Sequence, residues 1–232
     1  MGEVLTLDQP CRLELECAPE VHVPGPASLA LARYLFAVRD KTVLDLGCGT
    51  GLFAIAASKL GAREVTATDC DPAAVACARR NAERNRVKLE ILEGNLFDPV
   101  AGRSFDLVVT NPPQTPWPGA PRGAKLAGDD GLHYFKLLLA DLPRFLEPGG
   151  QLLTFLISIA DTRRFEELLK EKFRFRPLPR VRRDFTREEF DAYQPGLFDY
   201  LCDRRRRGLA EFGEEEGRYH FWAQPYLAML VP

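Results

Sequence analysis

Short apolar runs alternate with stretches of helical periodicity along this chain. Thr42 to Leu46 has the length and branching of a buried parallel strand. From Leu52 to Leu60 the apolar and small residues Leu52, Ile55, Ala56 and Leu60 recur at helical spacing, and Gly61 stands where a C-terminal cap glycine would. Further strands are predicted near 64–68, 88–92, 105–110 and 151–158, and helices near 51–60, 72–85, 131–146 and 161–171. Asp71-Pro72 makes a good N-cap and first-turn pair for helix 72–85. Upstream, Leu/Val alternation at Arg12 to Glu16 and Val21 to Val23 predicts strands covering one end of a sheet. Pro24-Gly25-Pro26 then turns into a helix over Ala27 to Val38. Repeated βα units predict an α/β protein with a parallel, doubly wound sheet.

Composition narrows the class. With 232 residues and 46% hydrophobic content the chain can bury a full core as a single domain. Within it, residues 1–40 read as an N-terminal strand and helix segment and 41–160 as the ligand-binding core. The balance of 31 basic against 33 acidic residues, net −2, offers no general attraction to phosphate backbones and disfavours nucleic acid as substrate. Six cysteines (11, 17, 48, 70, 77, 202) form no C-x-x-C pair and no metal-ligand spacing, so they read as reduced thiols of a cytoplasmic protein. No secretory leader pattern and no apolar run of 18 residues is present, which argues against secretion and membrane spanning.

Two motifs carry chemistry. Gly47, Gly49 and Gly51 follow strand 42–46 at two-residue spacing with Cys48 between them, giving G-x-G-x-G where a dinucleotide turn reads G-x-G-x-x-G and aims a helix at a pyrophosphate. Asp69 ends the next strand, where a carboxylate can accept hydrogen bonds from ribose hydroxyls; dehydrogenases place an acid similarly. The second motif, Asn111-Pro112-Pro113-Gln114, halts strand 105–110 at its carboxyl end, where open α/β sheets bind ligands. Two prolines remove two donors and fix φ, leaving a stiff corner with the Asn111 side-chain carbonyl and the Pro112 backbone carbonyl as acceptors for an NH2 group. A ligand-free glycine turn and a plain Asn-Pro turn are the alternatives.

Together these residues resemble the class I S-adenosylmethionine (SAM) methyltransferases. From about Val43 to Gly150 the chain resembles the small-domain N-methyltransferases, within them the HemK-like glutamine methyltransferases that modify peptide release factors. Supporting stretches are Asp69-Cys70-Asp71-Pro72, Gly94-Asn95-Leu96-Phe97-Asp98-Pro99 and Asp130-Gly131-Leu132. The resemblance implies a Rossmann-like seven-stranded sheet of order 3-2-1-4-5-7-6 with the last strand antiparallel, and SAM as cofactor with S-adenosylhomocysteine as product. It implies that Asp45 orders the loop and the methionyl amino group, that the glycine turn with Cys48 shapes the cofactor site, that Asp69 with Cys70 meets the ribose, and that Asn95 and Leu96 flank the adenine. Asn111 and Pro112, with Pro113 and Gln114, are then the catalytic corner, aiming an acceptor nitrogen at the methyl group. Two positions depart from the family: Asn95 where Asp is usual, and Gln114 where Tyr or Phe stacks on the target. Trp117 offers an aromatic face from the following loop, or else packs that loop down.

By the same resemblance Phe173 to Val181 is the sixth strand and His220 to Leu230 the seventh, and residues 182–218 are an insertion where the family has a short hairpin. Thr186 to Glu189 is a capping box opening one helix, and Leu197, Phe198, Leu201, Leu209 and Phe212 are expected on one face of a second, running through Arg204 to Arg207. The expected role is a lid over Asn111 and Gln114 with Tyr193, Phe198 or Tyr200 facing the pocket; a solvated decoration or dimer contact is the alternative. The arginine run is expected to be solvated or paired within the chain, with Glu214 to Glu216 as neutralising partners; an acidic-substrate clamp and RNA binding are the alternatives. Of the three histidines, His133 is the candidate base. The acceptor implied is a protein or peptide nitrogen, with a small metabolite, a nucleic-acid base and a non-catalytic SAM-binding role as alternatives.

Overall fold

A computed structural model describes residues 3–121 and 125–231. The chain opens with a hairpin, β1 (Glu3–Leu7) and β2 (Leu13–Cys17), then α1 (Pro26–Ala32), which runs into a 3-10 turn at Arg33–Ala37. The repeating part follows as β3 (Thr42–Leu46), α2 (Leu52–Lys59), β4 (Glu64–Asp69), α3 (Pro72–Arg84), β5 (Glu90–Glu93), β6 (Phe105–Thr110), α4 (His133–Asp141), β7 (Leu146–Ile157) and α5 (Thr162–Lys170). The remainder is β8 (Phe173–Pro177), β9 (Val181–Phe185), α6 (Arg187–Tyr193), α7 (Leu197–Arg206), β10 (Gly213–Glu215) and β11 (Arg218–Leu230).

Sheet order is β10-β11-β7-β6-β3-β4-β5, with β8 and β9 both on β11. β5, β4, β3, β6 and β7 are parallel, and β11 is antiparallel to β7. Counted from β3, this is the expected 3-2-1-4-5-7-6 order. The sixth place differs in detail: Phe173 to Val181 is not one strand. Three residues, 178–180, face two, 224–225, across β11, so the edge bulges and splits into β8 and β9. Prolines 179 and 225, which lack ladder donors, sit at the bulge. Gln224 fills in by donating from Nε2 to the Leu178 carbonyl and accepting at Oε1 from Arg180.

The N-terminal expectation also needs correction. Val21 to Val23 forms no strand, β1 was not foreseen, and the hairpin lies against α3 instead of a sheet end. Asn81 and Asn85, one helical turn apart, accept from the Glu16 and Glu14 amides at 2.7 and 3.1 Å and donate back to the same residues' carbonyls. Two carboxamides thus stand in for a neighbouring strand and satisfy an edge that would otherwise be open. Leu13 and Leu15, fully buried, carry the hairpin into the core with Phe53, Ile55 and Ala82. The helix expected over 131–146 stops at Asp141, because Pro143 tightens the last turn to 3-10, and the next strand begins at Leu146.

Candidate active site

Three glycines shape the turn between β3 and α2. Gly47, Gly49 and Gly51 all have positive φ (75°, 54° and 82°). Gly51 is also packed: a Cβ there would lie 3.3 Å from both Ala78 Cβ and Ile55 Cδ1, so this position needs glycine for conformation and for space. The Gly47 and Cys48 amides donate to the Thr68 carbonyl at 2.8 and 2.9 Å, tying the turn to the end of β4. Asp69 completes it, accepting from the Gly49 amide at 2.8 Å and the Asp71 amide at 3.0 Å. One carboxylate therefore sets the distance between the glycine turn and the N-terminus of α3.

Asp45 is fully buried, and its Oδ2 accepts from the Ala54 amide at 2.9 Å. Its other oxygen, Oδ1, has no hydrogen-bond partner among the described residues. Burial, partly offset by the Ala54 amide and reinforced by Asp69, pushes its pKa up to about 7. A cationic ligand at Oδ1 would satisfy the oxygen and restore the charge. Cys48 is held as a neutral thiol by burial and by the two nearby carboxylates.

These groups border a cavity of about 470 Å³ at the carboxyl ends of β3, β4 and β6. Of the anticipated residues it is lined by Gly47, Cys48, Gly49, Asp69, Cys70, Asn95, Leu96, Asn111, Pro112 and Pro113. Asp45, Gly51 and Gln114 stand behind that wall, and Leu96 adopts a left-handed backbone (φ 44°). Sequence reasoning missed the opposite wall. Glu20, His22, Pro24 and Ser28 close the cavity from the N-terminal segment, and Tyr134 and Leu138 from α4. Nothing local marks residues 20–28 as site-forming; their place follows from tertiary packing of α1. Partial burial, followed by the charges of Lys125 and Arg183, holds the pKa of His22 below its ordinary value.

At the corner, β6 ends in Thr110, whose hydroxyl donates to the Leu46 carbonyl and whose own carbonyl accepts from Thr154. Asn111 donates from Nδ2 to Ser28 Oγ at 3.2 Å. Gln114 turns inward. Its Nε2 lies 3.0 Å from Asn111 Oδ1, 3.4 Å from the Pro112 carbonyl and 3.3 Å from the Phe155 carbonyl, while its Oε1 accepts from the Ile157 amide at 2.7 Å. Gly131 (φ 77°) lies against this point: a Cβ there would meet the Gln114 carbonyl oxygen at 2.5 Å and Ala160 Cβ at 2.9 Å.

The insertion sits at this end of the sheet but does not reach the cavity. Phe198 is buried in an aromatic cluster with Phe185, Phe190, Phe212 and Phe221. Tyr200 meets Trp117 edge-on at 5.5 Å and donates to the Asp129 carbonyl, and Tyr193 lies under the Lys125 ammonium at 4.3 Å. None of these four aromatics is among the cavity residues, and neither is His133, whose ring stands edge-on to Tyr134. The apolar face expected to lie within one helix is shared: α7 ends at Arg206, and Leu209 and Phe212 follow it. The capping box at Thr186 is present. Arg204 is buried and donates to the Asp129 and Leu209 carbonyls, whereas Arg206 and Arg207 pair with Asp203. Glu215 pairs with Arg182 and not with the arginine run.

A glycine turn pinned by the carboxylate of the next strand, over a sheet of this order, defines a methyltransferase. Residues 24–185 match the protein-family model described as Methyltransferase small domain, and the chain belongs to that family. It is 33% identical over 174 residues to the release factor glutamine methyltransferase of Geobacter sulfurreducens, covering 68% of this chain and 61% of that protein. It is 48% identical over 83 residues to the ribosomal protein L11 methyltransferase of Clostridium botulinum, covering 35% of this chain and 26% of that one. The chain thus spans less than two thirds of the length of either relative. A solved T. thermophilus 16S rRNA methyltransferase in complex with AdoMet and guanosine superposes with a TM-score of 0.60 at 26% identity, over 76% of this chain and 47% of that one. Among the described residues no helix is long and apolar enough to cross a membrane.

Proposed function

We propose that this methyltransferase uses SAM and methylates a nitrogen of a protein or peptide. The residues present suit the cofactor. Asp69 on the wall suits the ribose hydroxyls and Asn95 with Leu96 the adenine, and behind the wall Asp45 Oδ1, unpartnered among the described residues, is the acid that favours a cationic amino group. Bound there, SAM supplies an electrophilic methyl group. The chain's own part is to orient the acceptor and exclude water. Asn111 and Pro112, on the cavity wall, present carbonyl oxygens to an acceptor N–H, and alignment of this kind is worth roughly 7–11 kcal/mol in favourable models. His22 is also on the wall, where burial, with the charges of Lys125 and Arg183, disfavours its protonated form.

The observation that carries the reading is the Asn-Pro-Pro corner at the cavity wall, in a chain whose relatives include methyltransferases named for release factor and ribosomal protein substrates. The test is to incubate the protein with methyl-labelled SAM and separate protein, RNA and small-molecule fractions of a cell extract. Label on protein nitrogen supports it; label confined to RNA or to small molecules overturns it.

A further inference from the structure

The family pattern places an aromatic residue where this chain has Gln114, and the structure gives that position a different occupation. Gln114 is only 6% exposed, and its carboxamide is directed away from the cavity, onto β7. Beyond Thr110 the main chain leaves the ladder at Pro112, which would leave the inner edge of β7 unpaired at Phe155 and Ile157. The Gln114 side chain takes the place of the missing peptide group, donating to the Phe155 carbonyl and accepting from the Ile157 amide.

Those two main-chain partners admit one orientation of the side chain. An amide N–H can only donate and a carbonyl can only accept, so Oε1 faces Ile157 and Nε2 faces Phe155. The atom of Asn111 that meets Nε2 at 3.0 Å must then be an acceptor, Oδ1, and Nδ2 is left to face Ser28. The Ser28 hydroxyl can donate or accept, so it follows Asn111 and does not decide it. The same Nε2 also reaches the Pro112 carbonyl. One buried carboxamide therefore touches both oxygens with which the corner would hold an acceptor, and each carbonyl has a second lone pair.

We propose that Gln114 is a positioning residue: it fixes the orientation of the Asn111 carboxamide and the Pro112 carbonyl from behind, without touching the acceptor. The inference rests on the reading of this corner as the acceptor-orienting site. Preset dipoles need no reorganisation during the reaction, which is where such a device would contribute. Gln114→Glu keeps the shape and replaces the donor by an oxygen. With the new carboxyl ionised, Asn111 must reverse, presenting Nδ2 to it and Oδ1 to the Ser28 hydroxyl. When that carboxyl is protonated its O–H can donate to Asn111 Oδ1, and the original orientation returns. Gln114→Ala removes the decision altogether, and its Asn111 has no pH-dependent orientation.

The test is side-chain amide NMR on the full chain, free and saturated with S-adenosylhomocysteine, for wild type and both variants across pH. In wild type, the Gln114 NH2 protons should exchange at least tenfold more slowly than those of exposed Gln9, and the Asn111 NH2 protons should show contacts to Ser28. Gln114→Glu should show the reversal at high pH and its recovery on acidification, with S-adenosylhomocysteine affinity within about threefold of wild type. Rapid exchange of the wild-type Gln114 amide, a measurement that needs no variant to fold, overturns the proposal. So does an Asn111 orientation unchanged in Gln114→Glu at a pH where the carbon shift of the new carboxyl shows it ionised. Because orientation is also read in the free protein, failure to bind S-adenosylhomocysteine would count against the cofactor reading alone.

Discussion

The two halves of the cleft, the one proposed to hold the cofactor and the one proposed to hold the acceptor, are built in opposite ways. The first comes from contiguous pieces: β3 with its glycine turn, β4 ending in Asp69, and the Asn95 loop, joined mainly by main-chain bonds and one carboxylate. The second is assembled from segments far apart in the chain. Ser28, the Asn111–Gln114 corner and β7 meet through side-chain bonds, Asn111 to Ser28 and Gln114 to Phe155 and Ile157, and the insertion, outside the cavity, holds Asp129 through Tyr200 and Arg204. A site made of local turns can be read and inherited motif by motif. One made of long-range side-chain bonds can change its shape by single substitutions while the cofactor half stays as it is.

The sharpest way to separate the halves is Asn111→Ala. Methyl transfer should fall by two orders of magnitude or more, about 3 kcal/mol in barrier, while SAM affinity by calorimetry stays near wild type. Equal loss of both would make the corner part of the cofactor half. A next test is Arg204→Met, which leaves the Asp129 and Leu209 carbonyls without their charged donor. It should cost about 2 kcal/mol in denaturant unfolding, again with SAM affinity unchanged.

Asp69→Ala should do the reverse, weakening SAM binding tenfold or more, about 1.4 kcal/mol, since it frees both the ribose position and the Gly49 amide. The smallest effect is a proton count. Asp45, with a folded pKa of about 7 against an ordinary 3.8, holds a proton that the unfolded chain would release between those values. Its contribution to stability is full below about pH 4 and is lost as pH rises through 7. A cationic amino group at Oδ1 would expel that proton. SAM binding at pH 6 should therefore release close to one proton, whereas at pH 8.5, where Asp45 is already ionised and a free α-amino group is mostly neutral, it should take up most of one, as measured by calorimetry in buffers of different ionisation enthalpy. Asp45→Asn should abolish the release at pH 6.

What was legible in the sequence follows the same division. The strand, turn and helix of the cofactor half announce themselves through glycine spacing, apolar period and the Asp71-Pro72 cap, and the sheet order came with the resemblance they carried. The β1–β2 hairpin was obscure because Asn81 and Asn85, which hold it, look like ordinary helix-surface residues until their partners are known. The bulge at 178–180 turns on two prolines 46 residues apart, Pro179 between β8 and β9 and Pro225 in β11, a coincidence no local window contains. In the insertion, aromatic spacing correctly indicated a buried face but could not say which surface it covered. Phe198 went to its own cluster and the 20–28 segment took the cavity wall.

Gly131 gives this construction a consequence for how the enzyme can vary. The Gln114 carbonyl rests where the β-carbon of any other residue at 131 would have to go. A single added methyl group, on a turn that is not among the cavity residues, would press on the backbone of the corner. Tolerance to mutation here is limited by an atom that is missing, so a lesion in this site can arise at a position with no side chain to lose.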